Sequence, residues 1–203
     1  MVEKPMQDQV HLTDPRALRA YAHPTRMTLV GLLRREGPCT ATQAARSIGE
    51  SVASCSYHLR ILAKYGLVEE ADPGGPGRDK PWRATAEYTN WPNHSDDPAV
   101  AQAAEALTAA VLENHFHRVT RALEVRHELP REWQEAEVFS DHVLYLTPEE
   151  LTELGEAVDA LVARYRDRGT HPERRPERAR RVAFLRVGHV LPDPGGVPGE
   201  EER

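Results

Sequence analysis

The sequence predicts an α+β protein, mostly helical, made of an N-terminal helical domain closed by a hairpin, one long helix and a small strand-helix-strand unit. Three observations carry this. Apolar residues recur about every 3.6 positions in most segments that proline and glycine mark out. Strand-like runs are few and short. A polar stretch with two prolines, Thr89 to Pro98, separates the first part from the rest. The 203 residues are 39% hydrophobic, enough for a modest core and too many for full disorder. No run of ~18 apolar residues exists, which excludes a helical membrane span. The opening residues (MVEKPMQDQVHLTD) lack the apolar stretch of a secretory leader, so a cytoplasmic location is expected. Cys39 and Cys55 are too few for a disulfide framework or a four-thiolate zinc site.

Residues 1–13 and 192–203 are polar or rich in Pro, Gly and Glu, and are expected to be disordered. Asp14-Pro15 is an N-cap and first helical position, opening a short helix that ends near Tyr21. His23-Pro24 breaks the chain, because proline disfavours a helical residue before it. A second helix follows from Pro24 to about Arg35, with Met27, Val30 and Leu33 on one stripe and Leu29 and Leu32 widening it. Gly37-Pro38 stops that helix.

Thr40 to Ile48 is a short, Ala-rich helix burying Ala44, Ala45 and Ile48. After the Gly49-Glu50 turn, Ser51 caps a longer helix to about Tyr65, with Leu59 and Leu62 inward. Gly66 stands where a left-handed residue is wanted. A short helix, a tight turn and a longer helix make a helix-turn-helix. Leu67 to Ala71 and Lys80 to Ala86 are two strands joined by the Pro73 to Gly77 loop. A hairpin directly after a helix-turn-helix is a wing, so residues 14–90 form a winged helix domain.

A long helix, within 98–128, carries Val100, Ala104, Leu107, Val111, Arg118 and Leu123 on one side. This is close to a seven-residue repeat, interrupted near Asn114 and His115, and is expected to dimerise. The unit 136–191 follows. Its strands are Val138 to Leu146 and Val182 to Val190. Between them Thr147-Pro148-Glu149-Glu150 opens a helix to about Arg168, with Thr147 and Glu150 forming a capping box.

Charge is segregated. Arg16 to Trp91 holds 11 Lys/Arg against 7 Asp/Glu, a net of +4. Pro92 to Glu173 holds 7 against 17, a net of −10, and Arg174 to Arg186 holds 6 Arg against Glu177, a net of +5. A basic first part on an acidic remainder points to a polyanionic partner for the first part.

The stretch Leu18 to Thr85 resembles the ArsR-type winged helix-turn-helix regulators of bacteria. The resemblance rests on Ala22-His23-Pro24-Thr25-Arg26, on Ser51 to Leu62 (SVASCSYHLRIL), on Tyr65-Gly66-Leu67-Val68, and on Trp82-Arg83-Ala84-Thr85 after a Gly-rich wing. It covers about a third of the chain, and the C-terminal half is similar to the appended domain of longer members. The resemblance implies a DNA-binding transcriptional regulator. Metal-sensing relatives would carry a Cys-x-Cys in the first helix of the helix-turn-helix, or spaced Asp/His and His/Glu pairs on the dimer helix. This sequence departs from both. Glu113 and His117 alone fall short of the three or four convergent ligands that zinc needs, so no metal and no cofactor are expected.

Helix 52–65 is expected to enter the major groove, with Val52, Ala53, Ser54, Ser56, Tyr57 and Arg60 outward. Arg60, the long cation among them, suits a guanine edge or a phosphate. In the basic wing 72–83, Arg78, Lys80 and Arg83 suit phosphate contact. His23 and Arg26 are read as a structural turn and a helix-terminal ion pair, Trp82 as packing between wing and core, and Cys55 as a buried small hydrophobe. No phosphate-binding glycine loop, nucleophile elbow or zinc-protease pattern is present, so an enzyme is not expected.

The expected function is a sequence-specific, homodimeric transcriptional repressor bound to double-stranded operator DNA. The C-terminal unit would lock the dimer or bind a small-molecule effector. The alternative is a winged-helix module that binds protein through the same helix.

Overall fold

The computed structural model describes residues 7–72 and 80–192. It divides into two compact units, Met1–Glu135 and Ala136–Arg203.

The first unit begins with a strand where the sequence suggested disorder. β1 (Gln7–His11) pairs in parallel with β4 (Ala86–Asn90), in the register Gln9↔Tyr88 and His11↔Asn90. The Leu12 amide continues the ladder by donating to the Asn90 carbonyl at 2.8 Å, and Leu12 is buried in the core. A parallel pair needs a long crossover; here it is the helix-turn-helix and hairpin together. Thr89 and Asn90, expected in a linker, therefore belong to a strand.

The next four helices begin within one residue of their expected starts. α1 (Pro15–Tyr21) starts on Asp14, whose carboxylate accepts from the Arg16 amide at 2.7 Å. α2 (Pro24–Glu36) starts on His23, whose Nδ1 accepts from the Thr25 amide at 3.2 Å. It stops at Gly37, with φ at 82°. α3 (Ala41–Ile48) has the reciprocal capping box of Thr40 and Gln43. α4 (Val52–Lys64) is capped by Ser51, whose hydroxyl accepts from the Ser54 amide at 3.1 Å.

β2 (Val68–Glu70) and β3 (Trp82–Ala84) pair antiparallel. The backbones of Cys39 and Trp82 bond each other reciprocally at 2.8 and 3.0 Å, fastening the wing stem beside the start of α3. The half-buried Trp82 packs on the core as the sequence suggested. α5 (Pro98–Glu124) is capped by Asp97 and lies against α1 through the buried Ala103, Ala104 and Leu107. Its second half exposes Phe116, Val119 and Leu123. A short helix, α6 (Arg131–Ala136), follows a single 3-10 turn. The core joins α1 to α5 and the wing stem around the fully buried Leu18, Leu29, Val30, Leu59, Leu62, Leu67 and Leu107.

In the second unit, α7 (Pro148–Thr170) begins with the expected capping box of Thr147 and Glu150. Neither flanking strand forms: residues 138–146 and 182–190 have no backbone ladder. A strand exists only by pairing, and apolar alternation alone supplies no partner. Val138, Val143, Val182 and Phe184 are exposed, and Tyr145 is 99% exposed. The later segment meets α7 through side chains instead. The Arg186 guanidinium donates to the Gly155 carbonyl and to Asp159, and Gly188 lies beside Leu151. The arginine cluster folds back on the end of α7: Arg175 donates to the Arg168 and Gly169 carbonyls at 2.6 and 2.7 Å, and Arg174 pairs with Asp167 at 2.6 Å. Cations satisfying the last carbonyls of a helix also favour its dipole. The tail 193–203 lies outside the described residues.

Candidate nucleic-acid interface

How α4 is pinned decides what it displays. Cys55, Leu59 and Leu62 are fully buried on one side, a spacing of four and three that makes a single inward stripe. Cys55 is thus the small core residue the sequence suggested. The opposite side faces out. Val52, Ala53, Tyr57 and Arg60 are exposed, Tyr57 by 57%, while Ser54 and Ser56 are half-buried at the edges. The structure therefore brings the six helix residues singled out from the sequence onto the first turns of one helix. Small residues at Val52 and Ala53 leave room for close approach to a groove, and the hydroxyls and Arg60 supply hydrogen bonds. The Arg60 Nε donates to the Ser56 carbonyl at 3.1 Å, which lays the side-chain stem along its own helix.

The wing stem is less basic than its cations suggest. Lys80 Nζ meets Glu70 Oε2 at 2.8 Å, and Arg83 Nη2 meets Glu69 Oε1 at 2.8 Å. Glu69 and Arg83 are register partners across the hairpin, so the pair is a cross-strand contact. The Arg83 side chain is only 18% exposed, which turns it from an outward phosphate ligand into a brace of the wing. The hydrogen bond from Lys80 to Glu70 raises the lysine pKa further, and its ammonium remains exposed. Arg78 lies outside the described residues.

A second group, His23, Arg26 and His58, lies between the start of α2 and the middle of α4. The rings of His23 and His58 are 4.6 Å apart between centroids, and His58 also meets the edge of Tyr57 at 5.3 Å. Arg26 repels the protonated form of both imidazoles, and burial, the larger cause, lowers both pKa values. Glu50 opposes the shift in each case. Arg26 has no ion pair among the described residues, which corrects the helix-terminal ion pair expected for it. Its Nε and the His58 Nδ1 are sealed from solvent without a hydrogen-bond partner.

Burial pushes both thiols above the ordinary cysteine range, with Cys55 adding to the shift at Cys39 and Glu50 to that at Cys55. Thiols so shifted are protonated at neutral pH. Among the described residues no three His, Cys, Asp or Glu side chains gather as a metal site would need. Among the described residues no helix is long and apolar enough to cross a membrane.

Residues 21–71, from the end of α1 to the end of β2, match a family model described as a helix-turn-helix domain. The chain carries a helix-turn-helix domain. Among solved structures, the E41A mutant of Lactococcus lactis ZitR is similar at 18% identity, covering 68% of this chain and 73% of that one, with a TM-score of 0.30. Nothing among curated proteins matches the chain.

Within the helix-turn-helix domain, sequence reasoning missed two roles. His23 is the α2 cap; an imidazole Nδ1 can accept as an Asp oxygen does, and Pro24 at the first helical position was the available signal. Arg34 reaches out of the domain to β4, donating to the Ala86 carbonyl at 2.9 Å and the Thr89 hydroxyl at 2.8 Å. A single arginine in an amphipathic helix carries no local signal of such a partner.

Proposed function

We propose that this protein is a sequence-specific DNA-binding transcriptional regulator, acting as a homodimeric repressor. The observation that carries this is α4, buried along Cys55, Leu59 and Leu62 and presenting Val52, Ala53, Tyr57 and Arg60 outward within a helix-turn-helix domain. Such a helix fits the major groove, and its first turns reach base edges. The described wing stem, with Lys80 as its exposed cation, meets the adjacent backbone. The role is binding, without catalysis.

A homodimer is supported by the second half of α5, where Phe116, Val119, Leu123 and the following Val125 are exposed in the single chain. Pairing this face about a two-fold axis would bury it and set two α4 helices on successive half-sites. The charge-balanced wing stem favours a second reading, a winged-helix module that binds protein.

The deciding experiment is selection of genomic fragments by the purified protein, followed by anisotropy titrations against salt. Specific binding falls steeply with salt, and sedimentation gives twice 22.8 kDa, if the proposal holds. Equal affinity for every fragment sinks the specific regulator. A monomer on DNA sinks the dimer.

A further inference from the structure

We propose that His23, Arg26 and His58 form a second anchoring site on the helix-turn-helix domain, one that holds a backbone phosphate of duplex DNA between the start of α2 and the middle of α4. The inference rests on the DNA-binding reading above and names contacts outside the helix face and wing already described.

The site is assembled from two elements. His23 and Arg26 come from the first turn of α2, and His58 from the middle of α4. All three are half-buried. His58 lies beside the exposed Tyr57 and two positions before the exposed Arg60, so the cluster borders the face that meets the groove. The two rings pack at 4.6 Å, which fixes them as a pair.

Its chemistry favours an anion. Arg26 is charged at every working pH, yet no carboxylate pairs with it among the described residues. Burial lowers its pKa, and the Tyr57 and Tyr65 phenols oppose that shift. Glu50, on the turn before α4, is the acid that acts on both imidazoles. Partly burying a guanidinium without a counter-ion is costly, and a phosphate supplies both the missing charge and acceptors in a fork geometry. The tautomer of His23 is set as well. Its Nδ1 accepts from the Thr25 amide, so the neutral ring carries its proton on Nε2 and is a donor. His58 Nδ1 has no partner, which leaves its Nε2 as the group able to meet a ligand.

A phosphate here also couples binding to protons. In the free protein burial and Arg26 hold both imidazoles neutral near pH 7. A bound anion cancels the repulsion at His58 and raises its pKa, so DNA binding takes up a proton there and affinity rises as pH falls, while His23 keeps its Nδ1 as acceptor of the Thr25 amide.

The test uses the full chain and a random-sequence duplex of roughly 25 base pairs, because a phosphate contact does not depend on sequence. Anisotropy is read across a salt series at pH 6.5 and pH 8. Arg26→Gln is expected to weaken binding about ten-fold and to lower the salt slope by about one. Arg26→Lys restores the slope, because it restores the charge, and guards against a variant that merely misfolds. His23→Gln with His58→Gln removes the pH dependence while circular dichroism stays that of the parent. Imidazole resonances of the parent shift to a higher titration point when the duplex is added. Binding with an unchanged salt slope in Arg26→Gln and unchanged pH dependence in the histidine pair overturns this site and leaves the DNA reading standing. No binding of any duplex by the parent protein overturns both.

Discussion

Replacing Arg34 by Met removes a guanidinium that ties the helix-turn-helix domain to the β1–β4 ribbon while keeping an unbranched apolar stem. The structure gives two hydrogen bonds to β4 to be lost, to the Ala86 carbonyl at 2.9 Å and the Thr89 hydroxyl at 2.8 Å, beside a side-chain hydrogen bond with Tyr21. A bond from a charged donor contributes about 1.5–3 kcal/mol, so about 3–6 kcal/mol is at stake in gross terms. Against this, the variant no longer confines an arginine whose pKa burial lowers, a shift that Tyr21 and Glu87 oppose. Removing that desolvation returns part of the loss, leaving a net destabilisation of about 2–4 kcal/mol. The assay is urea unfolding followed by tryptophan fluorescence. The tryptophans Trp82, Trp91 and Trp133 all belong to the first unit, so the signal reports that unit. A cycle with Thr89→Val isolates the pair, and a coupling of about 1 kcal/mol or more is expected for bonded neighbours. A loss below about 0.5 kcal/mol, or additive single changes, would refute the assignment of Arg34 as the tie between α2 and β4.

Three further outcomes follow from the same geometry. Arg60→Ala should cost about 1–3 kcal/mol in affinity for a selected site and relax preference at one base position; equal weakening on all sequences assigns Arg60 to phosphate instead. Gly66→Ala meets nothing within 4 Å of the added carbon, but φ is +71°, so the loss is backbone strain alone, about 1–2 kcal/mol by thermal or urea unfolding. With both thiols raised by burial, Cys39 should react slowly with a disulfide reagent at pH 7 and Cys55 only on unfolding. Fast labelling of Cys55 in the native protein would contradict the packing of α4.

The sequence by itself determined the elements whose signals are local. Asp14, Ser51 and Thr147 each accept from a backbone amide of the first turn where the residue type said they would. Gly66 takes the left-handed conformation after α4. The outward face of α4 was legible because a buried stripe of Cys55, Leu59 and Leu62 dictates its opposite. Each of these follows from residues within a turn or two of one another, and short-range sterics and capping suffice.

Only the tertiary structure decided what depends on partners distant in the chain. β1 carries little apolar pattern and becomes a strand because β4, some 80 positions later, offers its edge. The segments 138–146 and 182–190 carry the pattern and remain unpaired. The charge of the wing turned on which acids faced Lys80 and Arg83 across the hairpin. His23, Arg26 and His58 became one group when α2 packed on α4. Strand pairing, ion pairing and pKa shifts are properties of what surrounds a residue, and folding brings those surroundings together from remote parts of the chain.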